Sequence, residues 1–269
     1  NKIVIVAGFQ GVDPTTKEIT TLGRGGSDTT AVSLATYFKA DICKTLKDVD
    51  GVFNCDPKTN NKSKHFEKID FKTLKNMCFW GSPILHYRSV ALAEKMNIPL
   101  FIGNSTNINK GSSVTNKDLN MYEQTQILAA NCIDQIVHLS IKSANSAKGY
   151  EILNTFLTKS NIAMPQILAS AYDKNSLRIM FTDSKEALSA IESLIPNETN
   201  IDIIQNDNSA VTLIFSGAVD FNIINIATNL LQNNAIQVSK VLTSSSSLSF
   251  IISSKDKDMA NTTLQKLLS

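Results

Sequence analysis

The chain of 269 residues carries 26 Lys and Arg against 24 Asp and Glu, and this net charge of +2 argues against a nucleic-acid binder that works through a basic surface. Its 42% hydrophobic content and mean hydropathy of -0.04 exclude a disordered chain and supply enough apolar material for a large core. No apolar run approaches the roughly 18 residues of a membrane helix, and the opening NKIVIVAGF lacks the basic head and cleavage site of a secretory leader, so a cytoplasmic protein is expected.

In chain order, apolar strand patterns at residues 2–9, 42–47 and 98–102 alternate with helical patterns at 28–39, 71–79 and 87–97. That order predicts an α/β layered domain with a largely parallel sheet. The chain opens directly into its first strand pattern, so an N-terminal portion is expected to be missing. Residues 103–126 are polar and read as a connection between domains, part of it ordered.

Beyond the connection a helix, strand, strand, helix pattern occurs twice, each copy preceded by a strand pattern, at 127–141 and at 201–215. The copies align with Leu168 on Leu242, Ser170 on Ser244 and Ile162 on Ile236. This predicts two ferredoxin-like βαββαβ units, each with one sheet face under helices and the other face and edges free for a partner copy. The expected division is 1–120, 127–198 and 199–269, with strands open to exchange between the last two. The serine-rich run at 243–249 falls in the turn and a half-exposed strand of the second unit.

The most informative segment is GFQGVDPTTKEITTLGRGGSDTTAVSLA, residues 8–35. Gly23, Gly25 and Gly26 surround Arg24, and Ser27 and Asp28 open a helix with Ala31, Leu34, Ala35 and Phe38 on one face. Glycines let backbone N–H groups approach an anion, the helix N-terminus adds positive partial charge, and Arg24 suits a bidentate carboxylate clamp. The bland alternative is a glycine turn with Ser27 or Asp28 as a plain N-cap. A second segment, LKDVDGVFNCDPK at 46–58, holds two acidic turns and a cation; it suits a nucleotide with Mg²⁺, or is simply two solvated turns.

The four cysteines, Cys43, Cys55, Cys78 and Cys132, are widely spaced, and none of the three histidines lies at ligand spacing from a Cys or another His. Packed, reduced thiols and no metal site of the chain's own are expected. His86 starts a helix beside the nucleotide segment, with a satisfied structural role as open as a functional one. Trp80 reads as a core anchor.

Taken together, GFQG, TTLGRGGSDTTA, DVDGVF, DPK and the GxxxLHxRS stretch at 81–89 resemble the C-terminal half of the aspartate kinase catalytic domain. That family continues into two ACT domains, which the two ferredoxin-like units match. The resemblance implies ATP-dependent phosphorylation of the side-chain carboxylate of L-aspartate, at the head of lysine, threonine and methionine synthesis, with Mg²⁺. It places a substrate clamp on Arg24, substrate contacts on Ser27, Gly25 and Gly26, and on Asp28 a catalytic role, orienting a lysine. Nucleotide contacts fall on Lys47, Asp48, Phe53, Lys58 and Pro83. A lysine or threonine effector is expected at Asn145, Ser146, Gly149 and Tyr150, and a homo-oligomer through the ACT units.

The family's KFGGTS segment, which supplies that lysine, is absent here. Lys47 stands where the family has Thr or Ser, Phe53 where it has Tyr, Lys58 replaces an Arg, and Pro83 replaces a Lys near ATP. The alternative is therefore a non-catalytic, amino-acid-binding regulatory chain that pairs with a complete kinase.

Overall fold

The computed structural model describes residues 2–116, 125–159, 166–182 and 200–268, without the side chains of 204–206. Residues 2–7 form no strand despite their alternation. Ile3 is 95% exposed, and none of the described strands pairs with the segment, so its apolar pattern finds nothing to pack on. The chain enters regular structure in a hairpin of β1 (Gln10–Val12) and β2 (Ile19–Thr21).

Helix α1 (Gly26–Tyr37) then leads to strand β3 (Cys43–Lys47). Its buried face is carried by Val32 and Ala35, whereas Phe38, expected on that face, is exposed. A short ribbon of β4 (Val52–Phe53) and β5 (His65–Phe66) precedes β6 (Lys68–Asp70). Asp70 ends β6 and caps α2 (Phe71–Phe79), accepting from the Thr73 N–H at 2.7 Å and its hydroxyl at 2.8 Å. His86 caps α3 (Tyr87–Lys95), and α2 and α3 are tied by Lys75 and Glu94.

Strand β7 (Leu100–Asn104) turns back into β8 (Gly111–Thr115), which lies inside the segment expected as a connection. Its buried Ser112 and Val114 are what the polar composition concealed. The sheet order is β3-β7-β8-β6, with two parallel pairings and one antiparallel. Leu74 and Met77 are wholly buried in the core against it, each contributing about 2 kcal/mol. Residues 117–124 of the expected connection lie outside the described residues.

The rest of the chain forms one six-stranded antiparallel sheet, ordered β10-β11-β9-β12-β14-β13. These strands are β9 (Ile127–Lys142), β10 (Gln166–Asp173), β11 (Ser176–Thr182), β12 (Ile201–Phe215), β13 (Val238–Thr243) and β14 (Ser247–Ser253). Two long strands do double duty. The second half of β9 pairs with β11 and the start of β12, while its first half pairs with the end of β12, whose other side takes β14. Each half of the sheet thus has the ferredoxin-like order, with its fourth strand borrowed from the other long strand. Helix α4 (Ser146–Lys159) covers one half, and α5 (Phe221–Asn233) with α6 (Lys257–Gln265) covers the other. The expected helix at 184–194 and Ile162 lie outside the described residues, whereas Leu168 and Leu242 occupy matching places against one core.

The opposite sheet face is not free, as the sequence reading expected, but packs on the α/β part. Ala129, Ile133, Ala210, Ile214 and Ile251 join the same core as α2. Ser247 and Ser249 are fully buried on β14 rather than half-exposed, because Ser249 bonds the Thr212 hydroxyl at 2.7 Å and Asn76 reaches Ser246 at 2.8 Å. The first half of β9 would otherwise leave an open edge. The Asn54 carbonyl closes it by accepting the Ala130 N–H at 2.9 Å.

Gly81, at φ +102°, lies so close to this strand that a Cβ would come within 1.8 Å of the Cys132 carbonyl oxygen. Gly81→Ala therefore joins left-handed strain to a backbone clash, and we expect a loss of about 3 kcal/mol or more in urea unfolding. An unchanged midpoint would show that the two parts do not need this contact.

Candidate active site

The site is built on the start of α1. Gly23 and Gly25 take left-handed φ values of +73° and +69°, open to glycine without strain, and the Gly26 N–H donates to the Gly23 carbonyl at 3.0 Å. Ser27 and Asp28 lie within the first turn, and no side chain caps α1, so the plain N-cap alternative does not hold. Thr29 and Thr30 instead donate their hydroxyls back to the Gly25 and Gly26 carbonyls at 2.9 Å. The helix start is left with N–H groups for an external acceptor.

His86 closes one side. A Cβ on Gly25 would lie 2.2 Å from His86 Cβ, so only glycine lets the turn pass under the ring. Arg88, one residue into α3, donates from its guanidinium to the Arg24 carbonyl at 2.7 Å and joins the two helix starts. Asp28 sits between them, its Oδ2 at 3.9 Å from Lys47 Nζ and 3.5 Å from the His86 N–H. Lys47 and the start of α3 thus meet Asp28, with Arg24 and Arg88 joined close by. This excess of positive charge beside two helix N-termini suits an oxyanion.

Burial, then Arg88, holds His86 below its ordinary range, with Asp28 opposing. The ring is neutral at pH 7, and its Nδ1 accepts the Arg88 N–H. Beneath the site, burial pushes the Cys78 thiol up to about 12, which leaves it an inert packing group.

The second segment forms the carboxyl end of the sheet. Lys47 ends β3, where its carbonyl accepts the Ser105 N–H at 2.8 Å. Asp48 is exposed, and Asp50 is held by Asn104 at 2.8 Å and Lys110 at 2.6 Å. Gly51, at φ +120°, turns the chain against His65 and Ser112, and Ser112 accepts the Val52 N–H at 2.8 Å. The Phe53 ring lies 5.1 Å from that of His65. Lys58 is exposed, its N–H donating to Asp56 at 2.9 Å, and Pro83 is exposed between α2 and α3.

The structure pairs Asp28 with Lys47, and Arg24 and Ser27 flank it in the same glycine turn and first helical turn. Among the described residues no hydrogen bond, ion pair or ring contact links Phe53, Lys58 or Pro83 to that group. The sequence reading left His86 undecided and passed over Arg88; their nearness to the glycine turn is a tertiary fact with no local signal. In the middle of the chain, Asn145 accepts the Lys148 N–H at 2.9 Å beside Ser146 at the start of α4. Gly149 is buried against Leu177, and the Tyr150 hydroxyl bonds Ser170 at 2.6 Å. No three His, Cys, Asp or Glu side chains converge among the described residues, and no described helix is long and apolar enough to cross a membrane.

The model of the amino acid kinase family matches residues 1–104, the part that holds this glycine-rich turn and the Asp28–Lys47 pair. The chain's curated relatives are aspartokinases. It is 36% identical to an aspartate kinase of Pseudomonas putida over 198 residues, 73% of this chain and 48% of that protein. It is 32% identical to an aspartokinase of Corynebacterium glutamicum over 227 residues, 80% of this chain and 53% of that protein. The chain thus spans about half the length of these relatives. The fold matches Escherichia coli aspartokinase III in complex with aspartate and ADP, with a TM-score of 0.77 at 22% identity over 97% of this chain and 59% of that one. This agrees with the expected fold class, a partial amino-acid-kinase fold followed by two ferredoxin-like ACT units.

The lowered His86 value has a definite sign. Whatever stability the neutral ring contributes is present above pH 6.5 and lost as pH falls through the lower folded value. NMR titration is expected to give a His86 midpoint below 6.5, rising in Arg88→Gln as a neighbouring cation is removed. A midpoint unmoved by Arg88→Gln would contradict the site's electrostatics.

Proposed function

We propose that this chain carries the substrate-clamping and nucleotide-side part of an aspartate kinase, which transfers the γ-phosphoryl group of ATP to the side-chain carboxylate of L-aspartate. The observation that carries the reading is the Asp28–Lys47 pair, 3.9 Å apart at the mouth of two converging helix N-termini beside Arg24. That aspartokinase III binds aspartate and ADP on the same fold supports it.

In this reading Arg24 takes a substrate carboxylate in its planar fork, and Ser27 with the turn at Gly25 and Gly26 holds the remaining oxygens, the Gly26 N–H fixing that turn on the Gly23 carbonyl. A substrate carboxylate oxygen bonds to the γ-phosphorus as the bond to the β,γ-bridging oxygen breaks, giving 4-phospho-L-aspartate and ADP. The transition state needs in-line positioning and neutralised charge more than covalent help. Asp28 orients the Lys47 ammonium toward the transferring group, so a residue unusual at its position supplies a cation the site requires. The nucleotide lies along Lys47, Asp48 and Phe53, with Lys58 and Pro83 at its outer edge. Mg²⁺ fits as an ion carried mainly by the phosphates, since Asp50 is engaged by Asn104 and Lys110. When bound, it screens phosphate charge.

The ferredoxin-like units, 127–198 and 199–269, form the regulatory part, pairing with a second copy and taking lysine or threonine at Asn145, Ser146, Gly149 and Tyr150. The alternative, a regulatory chain on a disabled kinase scaffold, is favoured by the exposed Pro83, which leaves one phosphate contact unfilled.

ADP release with L-aspartate and Mg-ATP, measured on the longest encoded form of the chain, separates the two. Aspartate-dependent turnover is expected, with kcat/KM falling about a hundredfold in Arg24→Ala and by a similar factor in Lys47→Met. Absence of turnover, with lysine or threonine still binding by calorimetry, would instead establish the regulatory chain.

A further inference from the structure

The six-stranded sheet is strongly curled. Lys240 lies on the outer strand β13, yet its Nζ comes within 3.3 Å of His138 Nε2 on β9 and 3.9 Å of the Met180 sulfur on β11, four strands away. In a flat sheet β13 and β11 would stand about 19 Å apart. Curling gathers cations onto one concave face. Met180 is the register partner of His138, and Arg178 that of Ser140 on the same face, so the guanidinium joins the group.

Lys240 and Arg178 are exposed, while His138 beneath them is only 6% exposed. Among the described residues no carboxylate comes within 4 Å of any of the three, although Lys257, Lys142 and Lys110 elsewhere each have an acidic partner. The cluster's electrostatics are correspondingly strained. Burial first, then Lys240 and Arg178, lowers His138 to about 4, and burial and Arg178 lower Lys240. The nearest acidic residues on β9 and β12 are committed elsewhere, Asp134 to Lys257 and Asp202 to Lys142. Asp207, also on β12, is exposed and pairs with none of the three. One further group is unfinished. Asn208, the register partner of Ile136 and so on this same face, is buried with its Oδ1 unpartnered.

Two uncompensated cations, Lys240 and Arg178, over a buried imidazole and one orphaned acceptor call for a ligand with several anionic oxygens and one O–H. We propose that the concave face binds a phosphate group, free or carried by a small metabolite, held by Lys240 and Arg178 from the open side and by His138 from below. The O–H of a hydrogenphosphate would satisfy Asn208, which acetate cannot do. The site lies on β9, β11, β12 and β13, apart from the α1 cleft and from the α4 loop, and does not depend on the proposed kinase activity.

The test is imidazole NMR on the 269-residue chain, whose three histidines allow His138 to be assigned from His138→Gln. Saturating inorganic phosphate is expected to raise the His138 midpoint by about one pH unit or more, equivalent to about tenfold tighter binding to the charged ring. Acetate at matched ionic strength should leave it in place, and Lys240→Met should abolish the phosphate response. If acid unfolds the chain first, the same comparison is read at pH 6 from phosphate-induced shifts of the His138 resonances. A His138 signal indifferent to phosphate, moved equally by acetate, or still responsive in Lys240→Met would overturn the proposal.

Discussion

The structure hangs on strand β9. Its second half completes one ferredoxin-like half and its first half completes the other, while the edge it leaves open is closed by the backbone of the α/β part through Asn54. An unpaired buried N–H at Ala130 would cost on the order of 1–3 kcal/mol, so the loop carrying Asn54 is fixed relative to the sheet. That loop runs on from Phe53, and Asn60 further along it bonds Gln265 of α6 at 2.9 Å. The candidate nucleotide edge is therefore held at one end by the six-stranded sheet and at the other by α6. A shift of β9 or α6 cannot leave residues 53–60 where they are.

The same packing explains the buried polar side chains. A ferredoxin-like sheet with one open face would carry its serines in water, but here α2 lies across that face, and Ser246, Ser247 and Ser249 are buried with partners of their own. Gln166 reaches the Phe79 carbonyl at 2.8 Å from the far side of the sheet, so α2 is gripped by both halves. Since α2 leads through Gly81 to His86 and α3, the ring over the glycine turn is positioned by the sheet as much as by its own domain.

Local signals were legible wherever the chain satisfies itself. The bounds of α2 follow from its periodicity and Asp70 cap, α1 from its glycine turn, and the strand repeat from the Leu168 and Leu242 correspondence. What stayed hidden depends on distant neighbours. The apolar alternation at 2–7 needs a strand beside it that this chain does not place there, and β8 is a polar-looking strand made viable by burial between β7 and β6. In the site, GRGGSD was readable because backbone geometry demands its glycines. His86 and Arg88 were not, since they arrive from another helix.

The placement of Lys47 shows how a departure from a family pattern can be read physically. A lysine at the carboxyl end of a parallel strand, 3.9 Å from a half-buried carboxylate in the first turn of a helix, stands at the outer limit of an ion pair and adds little stability by itself. What the pair does provide is direction. Asp28 is anchored by its position in α1 and approached by the His86 N–H, so it sets where the flexible four-carbon arm of Lys47 can place its charge. A Thr or Ser at the same position could donate a hydrogen bond but could not bring a positive charge into the cleft. Arg24 and Arg88 are spaced to either side, with Arg88 spent on the turn that presents Arg24. Under the proposed function, Arg24 and the Asp28-directed Lys47 then supply one cation for each of the two anionic groups that phosphoryl transfer between a carboxylate and a nucleotide must bring together against their mutual repulsion.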